Sequence, residues 1–199
     1  MAYIGQAPAN KPLGASDITD GIISVAKLTS TLDLSSNTVT LPSGVGGKVL
    51  QVVQSVVTAP VTVSGSSFAD ISGMSVAITP SSSSNKILIN LDMCYGSEAD
   101  VYASFKLLRG STVVTTATSL QGSCQSSTFG ANSYHATNLT HCGYSFLDSP
   151  STTSATTYKI QVRPMGTTSR TFYLNRPEST SDANRFQTTS TITATEIEA

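Results

Sequence analysis

The sequence predicts an all-β fold, a sandwich or barrel of short antiparallel strands preceded by an extended N-terminal segment and a short connector. Three observations carry this. Charged residues make only 12% of the 199-residue chain, while Ser, Thr, Val and Gly abound, a balance that favours strands and turns over helices. Apolar residues alternate with polar ones over many short runs, the period of a strand with one buried face. No 10–15-residue helical pattern stands between those runs, which argues against a parallel α/β architecture. The hydrophobic fraction of 39% is enough for a packed core.

The chain divides by composition near residue 47. Residues 1–14, "MAYIGQAPANKPLG", are irregular and carry no charge before Lys11. Residues 15–34 hold scattered Ile, Val and Leu without a sustained helical face. Ser16 or Asp17 can cap a short turn that Gly21 would end. Thr38–Leu41 reads as a short strand leading into the "GVGG" joint at 44–47. A segment this small cannot hold a core alone, so its apolar residues need a partner. The expected organisation is an anchor and connector over 1–47 and a folded head over 48–199 that forms without them.

From Lys48 the pattern is regular. "KVLQVVQSVV" is a strand that is apolar on both faces: Val49, Val53 and Val57 share one side with Gln51 and Ser55, and Leu50, Val52 and Val56 share the other with Gln54. "VTVSGSSFADI" supplies a strand, a turn at Gly65 and the start of another. In "MSVAITP" the residues Met74, Val76 and Ile78 lie on one face. "SSSSN" is a turn. "KILINLDMCY" sets Ile87, Ile89, Leu91 and Met93 on one side, and "VYASFKLLRG" does the same with Val101, Ala103, Phe105 and Leu107 before turning at Arg109–Gly110. "HCGYSFLD", "TYKIQVRP", "RTFYLN" and "TSTITATEIE" complete roughly ten strands, the spacing of a sandwich or barrel. Residues 111–133, rich in Ser, Thr and Gly, read as a long loop region.

The net charge of −1 offers no electrostatic handle for nucleic acid or an anionic membrane. No apolar run approaches the roughly 20 residues that span a bilayer, and Met1–Leu13 lacks the order of a secretory signal. The expectation is synthesis in the cytosol, with neither nucleic-acid binding nor membrane insertion.

Catalytic constellations are scarce. His135 and His141 are the two histidines, and Cys142 adjoins the second. Strand alternation would put His141 and Cys142 on opposite faces, and the paired spacing of a structural zinc site is missing. Cys94, Cys124 and Cys142 form an odd set without CxxC and read as inert thiols. There is no GxSxG elbow. "GVGG" is followed by a strand, whereas a phosphate loop leads into a helix. Asp92, Glu98 and Asp100 are close in sequence, but Glu98 and Asp100 have the setting of turn acids. The residues therefore point to a scaffold and surface protein rather than an enzyme, with no catalytic residue, metal or cofactor expected.

Two ends of the chain carry a resemblance. "MAYIGQAPANKPL" resembles the start of tail-fibre and related virion proteins of bacteriophages that infect cyanobacteria and other aquatic bacteria. "FLDSPSTTSATTYKIQVRP", then "FYLNRP" and "STITATEIEA", resembles the closing third of small β-sandwich domains on phage fibres and virion appendages. "GKVLQVVQSVV…FADISGMSVAITPSSSSNKILI" is similar to the opening of the same domain. The resemblance covers residues 1–13 and about 48–199. It implies a trimeric, jelly-roll-like sandwich with a structural or adhesive role. The chain lacks the long shaft of such fibres, which leaves room for a capsid decoration protein. A glycan-cleaving enzyme is the remote alternative.

Under this reading Tyr3, Ile4, Pro8, Pro12 and Leu13 attach the protein to the virion, through a tail or capsid protein. An extended peptide can lie in a groove or add to a sheet edge, and its prolines lower the entropy lost on docking. The second apolar face of "KVLQVVQSVV" is expected to meet further copies in a homotrimer. Receptor contact, with a host surface glycan as the candidate ligand, is expected in residues 121–135, where Phe129, Asn132, Tyr134 and His135 can stack on or hydrogen-bond a sugar.

Overall fold

The computed structural model describes residues 48–98, 101–118, 120–133, 135–166, 169–181 and 183–199, all within the unit Gly46–Ala199. Every regular element among them is a strand. The strands are β1 (Val49–Val57), β2 (Val61–Gly65), β3 (Ala69–Ile78), β4 (Lys86–Ser97), β5 (Val101–Arg109) and β6 (Thr112–Val113), followed by β7 (Phe129–Ser133), β8 (Thr140–Asp148), β9 (Thr156–Met165), β10 (Arg170–Leu174) and β11 (Ser190–Ile197). The expected anchor and connector lie outside the described residues.

The strands form two antiparallel sheets facing each other across one core. In the first, β11 and β10 run end to end along one edge of β4, and β8 takes the other edge. Beyond them, β1 pairs with β11 and β2 with β10, so these two also run end to end. In the second sheet the order is β3, β9, β5, with β6 and β7 sharing the far edge of β5. The chain changes sheet between β2 and β3, and again at β3–β4, β4–β5, β7–β8, β8–β9 and β9–β10.

Side-chain alternation builds the core from both sheets. Ile87, Ile89, Leu91 and Met93 of β4 and Ile192 and Ala194 of β11 face Met74, Val76 and Ile78 of β3, Phe105 and Leu107 of β5, and Tyr158, Ile160 and Val162 of β9. An aromatic cluster closes one end: Tyr95 stacks on Phe172 at 5.1 Å between centroids and meets Phe105 edge-on at 5.9 Å. Such pairs add to the burial of their area. β3 stays in phase with the core only through a bulge between Asp70 and Ser75, where Ile71 and Met74 both point inward. Gly73 makes this possible: its φ is +81°, and a Cβ there would come within 2.9 Å of Val57.

The outer faces differ. On the second sheet, β9 carries Lys159 and Gln161, which hold Asp70 at 2.7 and 2.8 Å. On the first, Val52, Thr195, Leu88 and Leu147 follow one another across β1, β11, β4 and β8 in register. Val52 is 60% exposed, and Leu50, Val56 and Leu147 are exposed with it. The next row, Gln54, Thr193, Asn90 and Ser145, is polar and internally hydrogen-bonded.

Residues 111–133 differ from the expected loop. Thr112–Val113 forms a hairpin with the end of β5, and Phe129–Ser133 pairs with its beginning. Ser, Gly and Asn here obscure the strand pattern, because pairing to β5 rather than intrinsic propensity makes β7 a strand.

A groove on the second sheet as the candidate functional site

The residues singled out for receptor contact do not form one cluster. Phe129 points inward: its ring is stacked between Phe105 at 4.7 Å and Tyr144 at 4.9 Å, and it packs against the core. His135 is exposed, and its carbonyl accepts from the Asn138 backbone N–H in the following turn. Tyr134 lies outside the described residues, as do Tyr3, Ile4, Pro8, Pro12 and Leu13. Among the described residues of the set, Asn132 reaches a concave surface.

That surface is a groove of about 450 Å³ on the outer face of the second sheet, within the size range of ligand pockets. Strand register builds its floor. Asn132 of β7, Tyr102 of β5 and Met165 of β9 lie side by side, and Gly130 and Ser104 make the next row. One wall comes from the segment between β6 and β7, through Cys124, Gln125 and Ser127. That wall is held in place: Arg163 donates to Gln125 Oε1 at 2.9 Å, and Thr128 bridges from the Thr115 carbonyl to the Leu107 N–H.

Among the described residues no carboxylate and no histidine lines the groove. Tyr102 presents an aromatic ring with 59% of the residue exposed. Ser104 is 3% exposed, and its Oγ, like Asn132 Oδ1, has no hydrogen-bond partner. Tyr102 and Ser104 escaped notice in the sequence. Their signal was present: they fall on the alternate positions to Val101, Ala103 and Phe105, hence on the opposite face of the strand. No protein-family model matches the chain, and no curated protein is similar enough to match it.

The remaining chemistry-bearing groups lie apart from the groove. His141 and Asp92 meet at 2.8 Å on the exposed face of the first sheet, and Glu98 pairs with Arg170 at 3.0 Å. Asp100 lies outside the described residues. Among the described residues no group of three or more His, Cys, Asp or Glu is placed to hold a metal ion. The three cysteines are free thiols. Cys142 is turned toward the core while His141 is exposed, as alternation requires. Burial first, then the nearby Cys94 and Asp92, push the Cys142 thiol up to about 12. It therefore stays protonated near neutral pH, and the thiolate is the reactive form. Iodoacetamide applied to the native protein at pH 8 is expected to modify the exposed Cys124 first and Cys142 only on unfolding. Peptide mapping after a timed quench reads the order.

Proposed function

We propose that this chain is a non-enzymatic virion structural protein, a short trimeric tail fibre or spike of a bacteriophage, attached by its N-terminus and contributing to host adsorption. The observation that carries the reading is the apolar band on the outer face of the first sheet. A sheet face open to water in a monomer should be largely polar. Here Val52 and Leu147 are exposed in one row with Leu88 between them, Leu50 is exposed beside that row, and Val56 is exposed beyond the polar row that follows. A second and third copy would cover the band, and a closed ring of three suits an appendage. The alternation of the chain between sheets supports a jelly-roll winding, an architecture that recurs in capsid and lectin domains. The groove supports binding rather than cleavage, since glycoside hydrolysis ordinarily needs two carboxylates flanking the bond.

The full-length protein is expected to scatter light as a species of three times the 20.7 kDa chain mass. The double change Val52→Ser with Val56→Ser should shift it to monomer while leaving the circular dichroism of the sandwich intact. A wild-type monomer at micromolar concentration overturns the trimer. Copy number on purified virions separates the readings of role: a few tens or fewer support a fibre, and hundreds would move the assignment to a capsid decoration protein. Deleting residues 1–13 should abolish incorporation into particles if Tyr3, Ile4 and Leu13 make the attachment.

A further inference from the structure

We propose that the groove bounded by Tyr102, Ser104, Gly130 and Asn132 binds a neutral pyranose ring of a surface glycan, with Tyr102 as the stacking platform. This rests on the adsorption reading above and gives it a location. Four features of the groove converge on that ligand class.

The first is the exposed ring of Tyr102 beside the apolar side chain of Met165, its register neighbour on β9. The C–H face of a sugar covers such a ring without desolvating its hydroxyls, and an aromatic platform with a polar tip suits a half-wet site. The second is the pair of partnerless polar atoms, Ser104 Oγ and Asn132 Oδ1. Both atoms are buried just beneath the groove surface, and a buried polar atom without a partner costs about 1–3 kcal/mol, so a ligand hydroxyl or an ordered water that reached them through a side-chain shift would be stabilising. A serine hydroxyl turns about a single bond and an asparagine amide offers both donor and acceptor, which matches the mixed character of sugar hydroxyls.

The third feature is the glycine. Gly130 lies directly opposite Ser104 on the neighbouring strand, and a Cβ there would already sit 3.4 Å from the Ala103 carbonyl. The missing side chain opens the floor between Tyr102 and the Gln125 wall. The fourth is charge. Among the described residues the lining holds no lysine, arginine, aspartate, glutamate or histidine, and the Arg163 guanidinium at its edge is already engaged by Gln125 Oε1 at 2.9 Å, which favours a neutral ligand.

The full-length protein is tested with methyl glycosides of glucose, galactose, mannose and rhamnose by saturation-transfer NMR. At least one should receive saturation on the protons of one ring face, with millimolar affinity as befits a small ligand with few contacts. Tyr102→Ala should weaken that binding by about tenfold or more, a loss of about 1.4 kcal/mol, whereas Tyr102→Phe retains it. Ser104→Ala and Asn132→Ala should each weaken it while leaving the thermal midpoint unchanged or raised. If some glycoside binds but Tyr102→Ala binds it equally well, the site is overturned. No saturation transfer to any glycoside also overturns it and leaves ordered water as the partner of Ser104 and Asn132. The adsorption reading is measured separately, by competition of the purified protein with phage for host cells. Competition that survives in Tyr102→Ala sinks the groove and keeps adsorption, and its absence in the wild type sinks adsorption itself.

Discussion

Replacing Asn175 by alanine is expected to lower the unfolding free energy by about 3–5 kcal/mol, as much as truncating a core aromatic. Asn175 follows β10 and is fully buried. Its φ of 63° is left-handed, a conformation asparagine tolerates better than alanine. The side chain stitches three strand rows together at the point where two of them are interrupted. Nδ2 donates to the carbonyls of Val57, the last residue of β1, and Ala59, just beyond it, at 2.7 and 3.2 Å. Oδ1 accepts from Ser190 Oγ at 2.6 Å, and that hydroxyl accepts in turn from the Cys94 N–H of β4. The Asn175 backbone N–H bonds the Cys94 carbonyl. Alanine removes the side-chain bonds, leaves a buried carbonyl and a buried hydroxyl short of partners, and adds backbone strain. Asn175→Gly relieves the strain alone, so it should recover about 1 kcal/mol of the loss. Urea denaturation of the three proteins measures both steps. A loss under about 1 kcal/mol for Asn175→Ala would show that water replaces the side chain at no net cost.

Glu196→Ala is expected to cost about 3 kcal/mol or more, and Glu196→Gln to alter the pH dependence of stability. Glu196 is 1% exposed on the inner face of β11. Its Oε1 accepts from the Ser81 backbone N–H at 2.6 Å, from Ser81 Oγ at 2.7 Å and from Asn85 Nδ2 at 2.6 Å, while Gln51 Nε2 approaches Oε2 at 3.4 Å. One carboxylate thus fastens the turn between β3 and β4 to the last strand. Burial pushes its pKa up. The bonds from Asn85, Ser81 and Gln51 outweigh that and hold it below the ordinary 4.5. A depressed folded-state pKa contributes stability that is fully present above the unfolded value and is lost as pH falls through the folded one. The gap in stability between the wild type and Glu196→Gln should therefore be constant from pH 7 down to about 4.5 and shrink below it. A gap that stays constant at lower pH would show that the carboxylate is not held below its ordinary value.

The strands were legible because each buries one face against the same core. In β4, Ile87, Ile89, Leu91 and Met93 share one face and all four are buried, while Lys86, Leu88, Asn90 and Asp92 take the other. β9 and β11 follow the same rule, whereas in β5 Ser104 and Leu108 of the opposite face are buried as well. β1 was legible too: Leu50, Val52 and Val56 are exposed, as the alternation requires. Val49 departs from it, because the register shifts between Val49 and Gln51 and turns its side chain out. Phe129 was misleading for a physical reason. An aromatic in a Ser- and Gly-rich stretch has the look of a surface anchor, yet pairing to β5 places it between two core rings.

Alternation by itself determined which residues of each strand face the core, since a period of two needs only local backbone geometry. It also determined that one strand has apolar residues on both faces. Only the tertiary structure decided which strands are neighbours, and everything that depends on neighbours followed. The groove joins Tyr102 to Asn132, 30 positions apart in the chain, through the register of β5 and β7. In the sequence Asn175 closes the strand segment "RTFYLN" and Glu196 lies in "TSTITATEIE", with nothing to single out either. Their burial, and the donors and acceptors that make it tolerable, come from Val57, Ser81, Asn85 and Cys94. A buried polar group is stable only where such partners converge, and partners distant in sequence are brought together by packing alone.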